Sequence, residues 1–256
     1  MKLSIIIPVY NEAGTIGQVL DRVIAADVGC DEKEIIVVND GSTDGTKNIL
    51  RALHSKYPFL SLVEKQKNEG PARALFDGME QALEVARFDL PLEKTIIVRM
   101  DSDMEHIPED IPRLLEPIIS GESRLSVGYI PFDLRSGVVS KLFNSIIGKS
   151  ESKKFLGVEI PQFCPGFNAV RADLLARMSP KLKEKAAEFS KTYGKDMLTI
   201  DFVILVLAKE LGEKINVVRL SPINDKWIKK ASFSKLSHYL DYHKKTVEFL
   251  KKSSRA

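Results

Sequence analysis

Asp101 and Asp103 flank a single serine directly after the apolar run Ile96-Ile97-Val98-Arg99-Met100. Two carboxylates two residues apart at a strand end can aim their oxygens at one hard cation, and Glu105 offers a third oxygen. Mg²⁺ or Mn²⁺ held this way keeps coordination positions for phosphate oxygens. The same residue types have an ordinary use, since Asp and Ser end strands and cap helices, and Pro108 opens a helix just downstream. Asp40 is a second candidate. It follows the apolar run Ile35–Val38 and opens Gly41-Ser42-Thr43-Asp44-Gly45, where a carboxylate can accept from a ribose or from the N–H groups of a base. Asp44 suits a helix cap. His106 follows the acidic cluster as a ligand candidate or, in its ordinary use, a helix-entry or solvent-facing residue; His54, His238 and His243 show no metal-ligand spacing to it.

These residues need a scaffold that brings strand ends together, and the hydrophobic pattern supplies one. Leu3–Val9, Ile35–Val38, Ser61–Glu64 and Thr95–Met100 read as buried strands. Between them, Gly14–Ala26, a stretch from Thr43 or Asp44 to Lys56, and a stretch from Pro71 to Ala86 carry apolar residues at helical spacing, and Pro108–Ile119 follows. Strand and helix alternate with short connections, which implies a mostly parallel sheet with helices on both faces. In such sheets ligands bind beyond the carboxyl ends of the strands. Those ends carry Tyr10-Asn11-Glu12, Asn39-Asp40, Asn68-Glu69-Gly70 and Asp101-Ser102-Asp103. The second half is less regular. It predicts a strand at Leu125–Ile130, a helix at Val138–Ile147, a loop or strand over Gln162–Ala169, an apolar helix at Leu198–Leu211, a strand at Ile215–Leu220 and a basic amphipathic helix at Phe233–Lys252. Met178, Met197 and the Leu198–Leu211 run are read as core.

The chain has 256 residues, 44% hydrophobic and 29% charged, which excludes a disordered protein. No apolar run reaches the roughly 20 residues of a membrane-spanning helix. The start, MKLSIIIPVYNE, reads as a first strand rather than a signal peptide. Cys30 and Cys164 are too few for a disulfide framework, so a cytoplasmic setting is expected. Charge is uneven: residues 226–256 carry nine Lys or Arg against Asp241 and Glu248, on an otherwise mildly acidic chain. A basic tail suits phosphates or an anionic surface. It has no groove-reading motif, so nucleic acid is not expected as a partner.

IIIPVYNE, EIIVVNDGSTDGT, NEGPARAL and VRMDSDMEHIPEDIPRLL, in that order, resemble the family-two glycosyltransferases with the GT-A fold. Within that family, Asp-Ser-Asp-Met-Glu-His-Ile-Pro is similar to the segment of dolichyl-phosphate mannosyltransferase-type enzymes. CPGFNAVRADLL resembles that group's Ser-Gly-Phe-Arg-x-x-Arg-Arg, and KKASFSKLSHYL its Arg-x-x-Gly-x-Ser-Lys-Leu. The resemblance implies a Rossmann-like α/β GT-A domain over 1–225, with a nucleotide-sugar half (1–120) and an acceptor half (121–225), followed by a basic helix over 226–256. It implies that Pro8, Tyr10, Glu12, Val38 and Asp40 surround base and ribose. Asp101, Ser102 and Asp103 would hold ribose and metal, with Glu105 as an additional ligand and Asp103 central to catalysis. Lys235 and Lys229 would reach the diphosphate.

The implied reaction is inverting, metal-dependent transfer from a GDP- or UDP-linked sugar to an acceptor such as a polyprenyl phosphate. The acceptor would be met at a membrane surface by Lys244, Lys245, Lys251 and Lys252 near Tyr239, Phe249 and Leu250. Asp201 resembles a carboxylate that relatives carry before a similar helix. It would act as base toward a hydroxyl acceptor or cap the helix, while an ionised phosphate needs no base. The chain departs from the pattern where relatives have Gly-Thr/Ser-Arg-Tyr and it has Val127-Gly128-Tyr129-Ile130, leaving Arg135 or Lys141 as substitutes. Gln162 stands for Asp and Ser232 for Gly. A soluble saccharide or metabolite acceptor, and a non-catalytic nucleotide-binding module, are the alternatives.

Overall fold

A computed structural model describes residues 1–89, 91–130, 149–161, 166–193, 198–222 and 233–253. The expected helix at Val138–Ile147, and Arg135, Lys141, Gln162, Cys164, Met197, Lys229 and Ser232, lie outside them. Within the described residues the first half alternates as expected. Its elements are β1 (Lys2–Val9), α1 (Ile16–Ala25), β2 (Glu32–Asn39), α2 (Thr46–Lys56), β3 (Leu60–Glu64), α3 (Pro71–Asp89), β4 (Thr95–Arg99) and α4 (Ile111–Ile119), α4 being preceded by a 3₁₀ turn at Pro108–Asp110. The second half adds β5 (Leu125–Tyr129), α5 (Lys149–Leu156), β6 (Asn168–Arg171), α6 (Ala172–Tyr193), α7 (Ile200–Glu210), β7 (Ile215–Arg219) and α8 (Phe233–Ser253).

The strands form one sheet in the order β3-β2-β1-β4-β6-β5-β7. β6 runs antiparallel to both neighbours, and the other pairings are parallel. This reversal matters for the site, because it brings the start of β6 to the edge where the parallel strands end. Alternation along each strand divides the core. Ile6, Ile36, Val38 and Ile97 face α3, α6, α7 and α8, whereas Ile5, Ile7, Ile35, Val37, Ile96 and Val98 face α1, α2 and α4. Strands covered on both faces read as unbroken apolar runs for this reason.

β1 lies between β2 and β4, where the order of connection reverses, and its ladder to β4 stops at Ile6–Arg99. Val9 accepts from Asp40 on the β2 side and Ile6 from Met100 on the β4 side. By alternation, the nitrogen of Pro8 therefore faces β4 beyond the last rung, where its missing N–H breaks no ladder bond. The strands part there, and the opening lies at the topological switch point. Gly41 stands in the turn after β2, at the same edge of the sheet. Its φ is +68°, and a Cβ would sit 2.4 Å from the Lys67 backbone carbon, so the turn after β2 can abut the loop after β3 only as glycine.

α8 belongs to the same core. Val247, Phe249 and Leu250 are buried, and the Phe249 ring packs edge-on against Phe189 of α6 at 5.6 Å. This corrects the expectation that Phe249 and Leu250 offer an apolar face to a membrane: that face is spent on α6. Among the described residues no helix is long and apolar enough to cross a membrane. His243, edge-on to Phe202 at 5.5 Å, is buried in this packing. Burial, with Lys251 adding to it, pushes its pKa down to about 3. The unfolded chain therefore binds more protons than the folded one between about pH 3 and 6.5, so this stability is present above 6.5 and lost as pH falls. From pH 7 to 5 the wild type is expected to lose about 2 kcal/mol that His243→Leu does not lose, measured by urea unfolding. Equal losses in both proteins would remove His243 as the cause.

Candidate active site

Four strand-end loops and two later elements meet at the opening. The first two loops latch to each other. Asn11, with φ 54°, donates its N–H to Ser42 Oγ at 3.0 Å and accepts from the Thr43 N–H at 2.8 Å. The Glu12 N–H donates to Thr46 Oγ1 at 2.9 Å, and Glu12 Oε2 accepts from Thr15 Oγ1 at 2.7 Å. Asp44 accepts the Thr46 and Ala13 N–H groups, with Gly45 in the cap position of α2. Tyr10 is 44% exposed at the rim and Pro8 is half-buried. Val38, expected beside the base, sends its side chain wholly into the core and gives the opening no side chain.

Asp40 is buried at the floor. Its two oxygens accept the N–H groups of Glu69 at 3.0 Å and Gly70 at 2.9 Å, so it pins the loop that leads into α3. Lys65 Nζ lies 3.2 Å from Asp40, 2.8 Å from Glu69 and 3.2 Å from Asp77. Burial alone would lower the Lys65 pKa, but these three carboxylates outweigh it and hold it raised.

The acidic loop after β4 is held at both ends. Asp101 donates its N–H to His106 Nδ1 at 2.9 Å, and the His106 ring stacks on Phe167 at 5.0 Å. An accepting Nδ1 makes His106 the neutral Nε2–H tautomer. Burial, then Arg99, pushes its pKa down to about 4. His106 is thus an internal prop for Asp101 rather than a solvent-facing residue. At the far end Asp110 accepts from the Ser221 N–H at 2.7 Å and Oγ at 2.9 Å, tying the loop to the chain after β7. Glu109 takes a two-pronged bond from Arg22 of α1. Ser102, expected at the ribose, is buried within the loop.

The expected trio of Asp101, Asp103 and Glu105 is not assembled. Among the described residues no three His, Cys, Asp or Glu side chains are grouped as metal ligands. The reason is local: Met104 has φ 70° and is buried, and Asp103 Oδ1 accepts the Glu105 N–H at 3.1 Å. The chain turns at this point, so residues 103 and 105 lose the every-second-residue spacing of a strand. The remaining donor set is two hard carboxylates, Asp101 and Asp103. That chemistry fits a divalent cation that takes its other ligands from water or phosphate oxygens.

Arg99, to which no motif drew attention, joins this loop to the second half. Its Nη2 donates to Asp101 Oδ1 at 2.8 Å, and Nη1 lies 3.4 Å from Asp201 Oδ2. Asp201 Oδ1 accepts from Asn168 Nδ2 at 2.8 Å. α7 runs away from the ligand edge, so its first turn, with Asp201, sits at that edge. The cap position belongs to Thr199, whose N–H donates to Thr246 of α8 at 3.2 Å, and Asp201 is therefore not the cap. Burial pushes the Asp201 carboxyl up, opposed by Arg99 and the Asn168 bond. Lys235 lies in the first turn of α8.

The mostly parallel α/β sheet, covered by helices on both faces, has the GT-A fold. The chain belongs to glycosyl transferase family 2, whose profile matches residues 4–178. It is 35% identical over 128 residues to a dolichol-phosphate mannosyltransferase of Pyrococcus furiosus, a match covering 50% of this chain and 33% of the relative. An undecaprenyl-phosphate mannosyltransferase of Micrococcus luteus is 26% identical over 83% of this chain and 86% of its own. The first of these matches, like that to a dodecaprenyl-phosphate galacturonate synthase of Rhizobium johnstonii at 36% coverage of the relative, spans only about a third of the relative's length. In structure the chain resembles glucosyl-3-phosphoglycerate synthase of Mycobacterium tuberculosis, with TM-score 0.66 and 19% identity over 97% of this chain and 79% of that one. A crystal structure of that synthase contains Mn²⁺, UDP-glucose and phosphoglyceric acid.

Proposed function

We propose that the protein transfers a sugar from a nucleoside diphosphate donor to an acceptor oxygen with inversion at the anomeric carbon. The observation that supports this reading is that β2 and β4 flank β1 and run parallel to it, so Asp40, Asp101 and Asp103, which follow those strands, stand at one edge of the sheet of a family-two domain. The nucleotide would lie across the loops after β1 and β2, against Tyr10, Glu12 and the Asp40 floor, and the diphosphate toward Asp101 and Asp103. Those two carboxylates would hold Mg²⁺ or Mn²⁺, which when bound supplies positive charge beside the departing diphosphate. The acceptor oxygen forms its bond to the anomeric carbon from the opposite face, and the electron pair of the broken bond leaves on the diphosphate oxygen. Lys229 and Lys235 are proposed to add positive charge on the same side.

A polyprenyl phosphate is the acceptor this reading favours, supported by the names of the relatives in sequence. Contact with a membrane would run through charge, at exposed residues such as Lys244 and Lys252, because Val247, Phe249 and Leu250 of α8 are buried. One observation favours a second reading, a hydroxyl-bearing soluble acceptor: Asp201 is held at the ligand edge without capping its helix, as a base for a hydroxyl would be. The two separate in one assay. GDP-mannose and UDP-glucose are each supplied with Mn²⁺ and either undecaprenyl phosphate in detergent or a panel of soluble saccharides and phosphorylated hydroxy acids. Transfer to the lipid phosphate with inverted anomeric configuration is expected. Transfer only to soluble hydroxyls would establish the second reading, and a folded protein that transfers to neither would contradict both.

A further inference from the structure

β4 and β6 pair antiparallel with Arg99 opposite Asn168, which sets a guanidinium and an amide side by side at the ligand edge. The Arg99 side chain is 13% exposed. Its two terminal nitrogens serve different partners: Nη2 binds Asp101 at 2.8 Å, and Nη1 lies 3.4 Å from Asp201, whose other oxygen is held by Asn168 at 2.8 Å. A guanidinium presents these donors in one fixed plane, so the spacing of the two carboxylates follows from its geometry, which an ammonium on a flexible stem cannot impose. The chain leaves room for it at Gly166. A Cβ there would meet Arg99 Nη1 at 2.0 Å and Asp101 Oδ2 at 2.7 Å, so any side chain at 166 displaces the clamp. In the resembling Ser-Gly-Phe-Arg segment an arginine stands where this chain has Asn168. In this chain the Asn168 amide turns to Asp201.

We propose that Arg99 is a positioning residue that ties the donor-side carboxylate Asp101 to the acceptor-side carboxylate Asp201, with Gly166 as the space that permits it. This rests on the glycosyl-transfer reading for the meaning of the two sides. A merely structural arginine would affect folding and nucleotide binding alike. A positioning residue affects turnover while the nucleotide still binds, and its loss is not compounded by losing the residue it positions.

The test uses Arg99→Met, Arg99→Lys, Asp201→Asn, the double variant Arg99→Met/Asp201→Asn, and Gly166→Ala, which keeps every charged group and only displaces the clamp. Three quantities are read: kcat with whichever donor and acceptor the wild type turns over, calorimetric Kd for UDP and GDP with Mn²⁺, and the urea unfolding midpoint. Arg99→Met is expected to lower kcat by about 50-fold or more, a larger factor than any rise in the nucleotide Kd, which reads the Asp101 side alone. Gly166→Ala should reproduce that split, Arg99→Lys should recover only part of kcat, and the double variant should be no slower than the slower single variant. Wild-type kcat in Arg99→Met, or losses that multiply in the double variant, would overturn the proposal. Where the wild type transfers nothing, the reaction reading fails first and the unfolding cycle decides the clamp. Removing Arg99 leaves Asp101 and Asp201 without their shared cation, so Asp201→Asn must recover at least half of the midpoint lost in Arg99→Met. No recovery overturns the clamp whatever the reaction is.

Discussion

Asp103→Ala is expected to abolish sugar transfer, by about a thousandfold or more, while the fold stays intact. The size follows from the role: a carboxylate that holds the cation beside the diphosphate acts where charge develops, and removing such stabilisation costs orders of magnitude in rate. The structural cost is small by comparison. Asp103 accepts the Glu105 N–H in a half-buried loop, and water can replace that bond for about 0.5–1.5 kcal/mol. Far-UV circular dichroism and the urea midpoint should therefore remain near wild type while product formation disappears. Turnover near the wild-type rate would remove Asp103 from the reaction.

Asp40→Asn is the second large effect, and it is expected in stability although the two side chains have the same shape. Both Asp40 oxygens accept backbone N–H groups, from Glu69 and Gly70, and Lys65 lies 3.2 Å from Oδ1. Asparagine supplies one accepting oxygen and turns an NH₂ donor toward the other N–H. A buried donor then faces a donor, and Lys65 keeps only Glu69 and Asp77. The cost is about 2–3 kcal/mol of unfolding free energy. Nucleotide affinity should fall with it, since the nucleotide is proposed to lie against Asp40. A variant with wild-type stability would show that the Asp40 bonds to Glu69 and Gly70 are dispensable.

The first half was legible because its strands are buried on both faces. An unbroken apolar run such as Leu3–Val9 has no solvent-facing alternative, and the polar residues that follow each run must lie at the ligand edge. The acidic loop was legible in composition and not in shape. The left-handed turn at Met104, which takes Glu105 out of the expected trio, depends on burying Met104 against helices from elsewhere in the chain. Arg99 drew no reading in sequence, because its value comes from Asp201, about a hundred residues away in the chain. The helix α6 escaped the periodicity reading because Pro180 interrupts it and its polar stretch runs long. The apolar face of α8 was visible, but amphipathicity alone does not distinguish a lipid surface from a neighbouring helix, and the neighbour proved to be α6. A reversed strand at β6 left no mark in sequence either, yet it is what delivers Gly166 and Asn168 to the site.

On the proposed function, the opening between β1 and β4 is a metal-dependent nucleotide site. Titration calorimetry of UDP and of GDP, each with Mn²⁺ and again with EDTA, tests it most directly. Saturable binding of one nucleotide with Mn²⁺ is expected, lost in EDTA and in Asp103→Ala. Binding that ignores EDTA, or no binding of either nucleotide to the folded protein, would contradict it.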